Sequence, residues 1–276
     1  MIGAIIGDIV GSQFEWQELK KKEFKLFTHN CTYTDDSLMT LALAEAFVLR
    51  RGEWRSDGFR EFLISRMVKM GREHQAASWG ERFYKWFMES PKPYGSMGNG
   101  AAMRISPVGW ISDSEDDVRY FSALVTEVSH DHPDAVLAAE AVAMAIYLAR
   151  NGAQMEEIRE RMTGYYPELC NMTLDKIRPD YGIDPLGRFI TCAGSVPQAI
   201  LAFLESVSFE DAVRNAISLG GDTDTQGAIA GSIAEAYYGV DIDMEERALE
   251  YLTDKLLTIY YAFSTVKRKR LRRHAL

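Results

Sequence analysis

The 276-residue chain has little cysteine, no long apolar run and no excess of positive charge, and each shortage removes a class of protein. Its three cysteines, Cys31, Cys170 and Cys192, are scattered and form no CxxC pair. They argue against a disulfide or zinc framework and for reduced thiols in a cytoplasmic setting. No apolar stretch approaches the roughly 18 residues of a membrane span, so no membrane partner is expected. The opening MIGAIIGDIV is apolar, but it lacks a basic start and carries Asp8, so it does not read as a signal peptide. A formal charge of −9 disfavours general nucleic-acid binding. The exception is KRKRLRR, Lys267 to Arg273, read as a solvated basic tail over residues 266–276.

Strand signals are scarce too, and there is neither a low-complexity linker nor a repeat of fixed period. Helical spacing recurs instead. AVLAAEAVAMAIYLAR (Ala135 to Arg150) follows Pro133 as a helix start would, and SLMTLALAEAFVLR (Ser37 to Arg50) ends near Gly52. FREFLISRMVKMG, ERFYKWFMES, EDDVRYFSALVTEVS, SVPQAILAFLES, FEDAVRNAISLGG, AIAGSIAEAYYG and ERALEYLTDKLLTIYYAF read the same way. The expected architecture is a single all-α domain over residues 1–265. Gly3, Gly7 and Gly11 lie four apart in the first helix, and Gly227 and Gly231 repeat the device near the C-terminus. A glycine inside a helix costs about 0.5–1 kcal/mol relative to alanine, so close packing between helix backbones is the expected compensation.

Two acidic clusters open helical patterns: YTDDSLMT at Tyr33 to Thr40 and GGDTDTQG at Gly220 to Gly227. Threonine and aspartate are preferred N-caps, and one such residue is enough to cap a helix. The second carboxylate in each cluster needs another reason. Together the clusters form an oxygen-only ligand set, which suits magnesium, manganese or calcium rather than zinc. Spacing alone does not bring them together. Asp8 and Glu15 are two turns apart on one face of the first helix. Asp8 reads as a buried acceptor for nearby backbone, and Glu15, beside Trp16, as better placed to reach a site.

GAIIGDIVGSQFE, TDD, GNGAAMR, SHDHP and GGDTDT, in that order, resemble the motifs of the ADP-ribosylglycohydrolase family. That family includes the enzyme that reactivates ADP-ribosylated dinitrogenase reductase and the vertebrate ADP-ribosylhydrolases. The resemblance implies orthogonally packed helices around a binuclear magnesium or manganese centre. By position, Thr34, Asp35 and Asp36 match the first metal-ligand group, and Asp222, Asp224 and Thr225 the second. Glu15 matches the glutamate beside the metals, and Ser37 replaces a frequent threonine. Gly95, Ser96, Met97, Gly98, Asn99 and Gly100 match the loop that wraps the diphosphate and ribose of ADP-ribose. Glycines there also suit close approach of backbone N–H groups to phosphate, although Asn-Gly equally favours a tight turn.

Arg104 is expected to brace that loop through a buried carboxylate. His130 matches a histidine on the nucleotide side of the cleft, and His132 belongs to the turn before the next helix. Cys192 to Pro197 is expected to open a helix lining the cleft. The function implied is hydrolysis at ribose C1″ of ADP-ribosylated protein side chains, with Glu15, Asp35, Asp36 and Asp224 as the catalytic set and two divalent cations as cofactors. The alternatives are a small ADP-ribosyl compound or ADP-ribosylated nucleobase as substrate, or an inactive ADP-ribose-binding relative.

Overall fold

A computed structural model describes residues 1–184 and 186–274, with side chains described as far as Lys267. The helical patterns resolve into α1 (Ile2–Ser12), α2 (Asp35–Leu49), α3 (Phe59–Glu73), α4 (Glu81–Met88), α5 (Gly100–Met103), α6 (Ser106–Ile111), α7 (Glu115–Thr126) and α8 (Pro133–Arg150). There follow α9 (Met155–Tyr165), α10 (Leu174–Ile177), α11 (Cys192–Leu204), α12 (Phe209–Ile217), α13 (Thr223–Tyr238), α14 (Ile242–Leu249) and α15 (Asp254–His274). No strand occurs among the described residues; extended backbone pairs only in a bridge between Gly98 and Thr191. The fold is all-α, as expected.

The short helices α5, α6 and α10 are additional to the sequence reading, and two longer elements differ from it. α9 is an additional helix: only Ile158 and Met162 are buried in it, too few for a visible apolar period, and its signal is the Gln154/Glu157 capping box. ERALEYLTDKLLTIYYAF is two helices rather than one. Thr253-Asp254 restarts the backbone, and the Leu257 N–H donates to the Thr253 carbonyl at 2.9 Å.

α1 and α13 form the centre. Residues 2–11 of α1 and 223–235 of α13 are buried on every side, as expected of helices that are apolar or small all round. They run antiparallel, and glycine sets their separation. A Cβ added at Gly3 would fall 2.1 Å from the Gly231 carbonyl oxygen, one at Gly7 1.9 Å from that of Gly227, and one at Gly11 2.4 Å from that of Thr223. The C-terminal end of α1 is thereby pressed against the N-terminal end of α13. At the opposite end of the pair, the buried Glu235 carboxylate accepts from the Gly3 N–H at 2.8 Å and meets the Met1 amine and the Lys267 ammonium. Lys267 also lies 3.6 Å from the Trp110 ring centroid, so the first cation of the basic run is a packed residue rather than a solvated one. The remainder of that run lies outside the residues whose side chains are described.

Candidate active site

The acidic motifs sit where helix ends converge. Asp8, in the last turns of α1, accepts from the N–H groups of Thr34 (2.9 Å) and Ser37 (3.0 Å) and from the Thr34 hydroxyl (2.7 Å). The α1 carboxylate therefore pins the start of α2, while the Thr34 hydroxyl caps that helix by accepting from the Asp36 N–H. α13 begins after Gly220 and Gly221, whose φ of +80° and +75° let the chain reverse sharply out of α12. The Asn99 side chain, at the start of α5, donates to Asp222 at 2.6 Å and the Thr225 hydroxyl donates to Asp36 at 3.4 Å. Thus the two clusters meet, together with the glycine loop. α1 ends at Ser12, so Glu15 is not on its face but in the turn that follows; the turn still carries it to α13.

Carboxylate oxygens of Asp8, Asp36 and Asp224 lie within 4.8 Å of one another, and so do those of Glu15, Asp222 and Asp224. Asp224 belongs to both groups. Asp35 lines the cleft beside them but closes neither triangle; Asp8 does so in its place, in addition to holding α2. Burial, then the neighbouring Asp224 charge, pushes the Asp35 and Asp36 carboxyls well above the usual range. Asp224 is raised as strongly, by burial and then Asp222. Glu15 is raised to about 7, again by burial and then Asp224. Asp8 and Asp222 are raised by burial, with hydrogen bonds opposing. Among the described residues no ion pair reaches any of these six groups, and the buried Asp36 Oδ1 has no hydrogen-bond partner. Such a cluster requires protons or cations to offset its repulsion. Its all-oxygen donors fit hard divalent cations.

A cleft of about 550 Å³ opens from the cluster. Glu15, Asp35, Asp36, Asp222, Asp224 and Thr225 line one part of it, and Ser96, Gly98, Asn99, Gly100, Arg104 and His130 another. Of the expected loop residues, Gly95 and Met97 are not in the lining. The Gly95 N–H donates to Asp131 at 2.6 Å and that of Gly98 to the Ser96 hydroxyl at 3.2 Å, so neither is turned to the cleft. Met97 is exposed, and its carbonyl accepts from the Cys192 N–H at 2.9 Å. Cys192 opens α11 as expected but is fully buried behind the loop, its thiol donating to the Gly98 carbonyl.

Arg104 corrects the sequence reading, for its partner is no carboxylate. It donates to the Ser129 hydroxyl at 2.8 Å and lies over the Phe83 ring, with Nε and Nη1 buried and unpartnered. Burial lowers it to about 10. Because arginine only donates, the Ser129 hydroxyl is free to donate onward to His130 Nδ1, 2.8 Å away. With the bond in that direction the ring proton sits on Nε2, the nitrogen nearest Gly98 and Gly100. Burial, then Arg104, holds this imidazole well below its ordinary value, so it is neutral. His132 instead caps α8, accepting from the Asp134 N–H. Trp16 is a residue that the sequence did not single out. It lines the cleft with φ at +63°, and its N–H donates to the Gly221 carbonyl at 3.0 Å. For a bulky residue that backbone costs about 1–3 kcal/mol.

The sequence profile of a family described as ADP-ribosylglycohydrolase matches residues 1–271. The chain belongs to the ADP-ribosylglycohydrolase family. The family match extends beyond α13 into α15, further than the motifs reach. Within that family, the ADP-ribosylhydrolase ARH3 of Bos taurus is 25% identical, over 87% of this chain and 84% of its own. The ADP-ribosyl-[dinitrogen reductase] glycohydrolase of Rhodospirillum rubrum is 28% identical, over 82% and 79%. The ADP-ribosylarginine hydrolase Tri1 of Pseudomonas putida is 26% identical, over 87% and 70%. A solved structure titled an ADP-ribosylglycohydrolase-related protein complex shares the fold, with a TM-score of 0.69 over 96% of this chain and 97% of that one at 23% identity. The expectation of an ADP-ribosylglycohydrolase enzyme is borne out. Among the described residues, no helix is long and apolar enough to cross a membrane.

Proposed function

We propose that the protein hydrolyses the glycosidic bond at ribose C1″ of mono-ADP-ribosylated protein side chains, releasing ADP-ribose. The observation that carries this reading is the pair of carboxylate triangles sharing Asp224 at the floor of a cleft of about 550 Å³, a volume in the range of small-ligand sites. Thr34, Asp35, Asp36, Asp222, Asp224 and Thr225, joined by Asp8, would hold two magnesium or manganese ions. Bound there, the ions would neutralise the cluster and supply Lewis-acid chemistry for activating water at neutral pH.

The protein's own groups do the rest. The ribose lies over the acidic floor, and the diphosphate against Ser96, Asn99, Gly100 and the His130 Nε2–H. Water oxygen bonds to C1″ as the bond from C1″ to the linked side chain breaks. Glu15, which reaches the cleft beside Asp224, accepts the proton that the water loses. The departing side chain ends protonated by the proton that Glu15 took from the water, and the carboxylates stabilise positive charge developing on the sugar. The decisive measurement is turnover of a defined ADP-ribosylated peptide with magnesium and with EDTA. Hydrolysis only with the metal supports the reading. Binding of ADP-ribose without any turnover would make the protein an ADP-ribose reader instead.

A further inference from the structure

Trp16 hydrogen-bonds the neighbouring Glu15 carboxylate through its side chain, yet two of its properties work against the fold. It is the only non-glycine with positive φ among the described residues, and the residue is 61% exposed. Strain and exposure both work against stability, and glycine or asparagine would hold the same backbone more easily. A ring retained at such a position answers to what enters the cleft.

Its location says which part of a ligand it meets. Trp16 follows Glu15 directly, and Glu15 shares a carboxylate group with Asp222 and Asp224, so the ring stands at the acidic part of the cleft. Phe189 backs it with ring centroids 5.7 Å apart. Ile190, also in the lining, continues this apolar wall to the glycine loop, its carbonyl accepting from the Asn99 N–H at 3.0 Å. The face of an indole attracts flat π-systems and cations, and the adjacent carboxylates strengthen that preference for a flat cation.

We propose that Trp16 is a specificity-determining residue that stacks on the group bonded to ribose C1″, so that flat, delocalised leaving groups are favoured over compact aliphatic ones. The inference rests on the hydrolase reading above. It is tested by measuring kcat/KM of the wild type, W16F and W16N with arginine-linked, nucleobase-linked and serine-linked ADP-ribose. For W16N the ratio of flat to compact substrates is expected to fall about tenfold, the usual worth of one stacking contact, while W16F keeps most of it. W16N should also melt no lower than the wild type. An unchanged ratio, a parallel loss on every substrate (Trp16 acting through Glu15), or a Tm drop of several degrees would overturn the proposal alone. Wild-type inactivity on all three substrates would overturn the hydrolase reading, and this inference with it.

Discussion

Asp224 stands in both carboxylate triangles, so a single substitution breaks the two together. Asp224→Asn should lower turnover by about a hundred- to a thousandfold. It also removes one of the mutually repelling buried charges, so in EDTA it should melt no lower than the wild type. Magnesium at a hundred times its Kd should stabilise the wild type by about 2.7 kcal/mol for each ion bound and the variant far less; equal magnesium shifts in paired thermal melts would sink the metal assignment. Ser129→Ala breaks the link between Arg104 and His130 and releases the imidazole from its tautomer. KM for ADP-ribosylated peptide should rise several-fold with kcat changed less, and a kcat loss without a KM change would reject the donor role of Nε2. At this scale the acidic motifs were legible because each carries one carboxylate more than capping needs. Asp8 was legible as a backbone acceptor; its place in a carboxylate triangle and the partner of Arg104 were not, since both depend on segments that only the folded chain brings alongside.

The helix pair α1–α13 converts a four-residue spacing of glycines into the position of the site. Gly7→Ala would drive a methyl group into the Gly227 carbonyl and part the two helices. It should cost about 3 kcal/mol or more and reduce activity even where the protein still folds. Gly164→Ala is the contrasting case. That glycine lies exposed near the end of α9 with nothing within 4 Å of an added Cβ, so the substitution should stabilise by about 0.5–1 kcal/mol. Urea denaturation of both variants checks the opposite signs. The glycine stripes announced this contact in the sequence, and the structure pairs Gly3 with Gly231 and Gly7 with Gly227, while Gly11 meets Thr223. The polar helix α9 escaped notice because two buried side chains make no period, and the division between α14 and α15 because apolar spacing carries across it.

Over the whole molecule, the far end of the central pair is held by charge. Burial alone would raise Glu235, but Lys267 first, and then the Met1 amine, itself lowered to about 5 by burial, outweigh it and bring the carboxyl down to about 2. A depressed carboxyl contributes stability that is present above its ordinary value of 4.5 and is lost as pH falls from there towards 2. The wild type should therefore lose stability across that window, and Glu235→Gln should be less stable at neutral pH but flatter below pH 4.5. Identical acid slopes in melts from pH 7 to 3 would remove Glu235 from the account. The site has a timing as well as a place. Asp36 and Thr225, now hydrogen-bonded, are 189 residues apart, and α1 is buried chiefly by the last third of the chain. At ordinary rates of synthesis roughly ten to forty seconds separate the two acidic motifs as they leave the ribosome. For that interval the apolar first helix has no α13 to close against and the first carboxylates no counterpart, so the nascent chain must carry its most insoluble segment longest before the step that completes the core also completes the site.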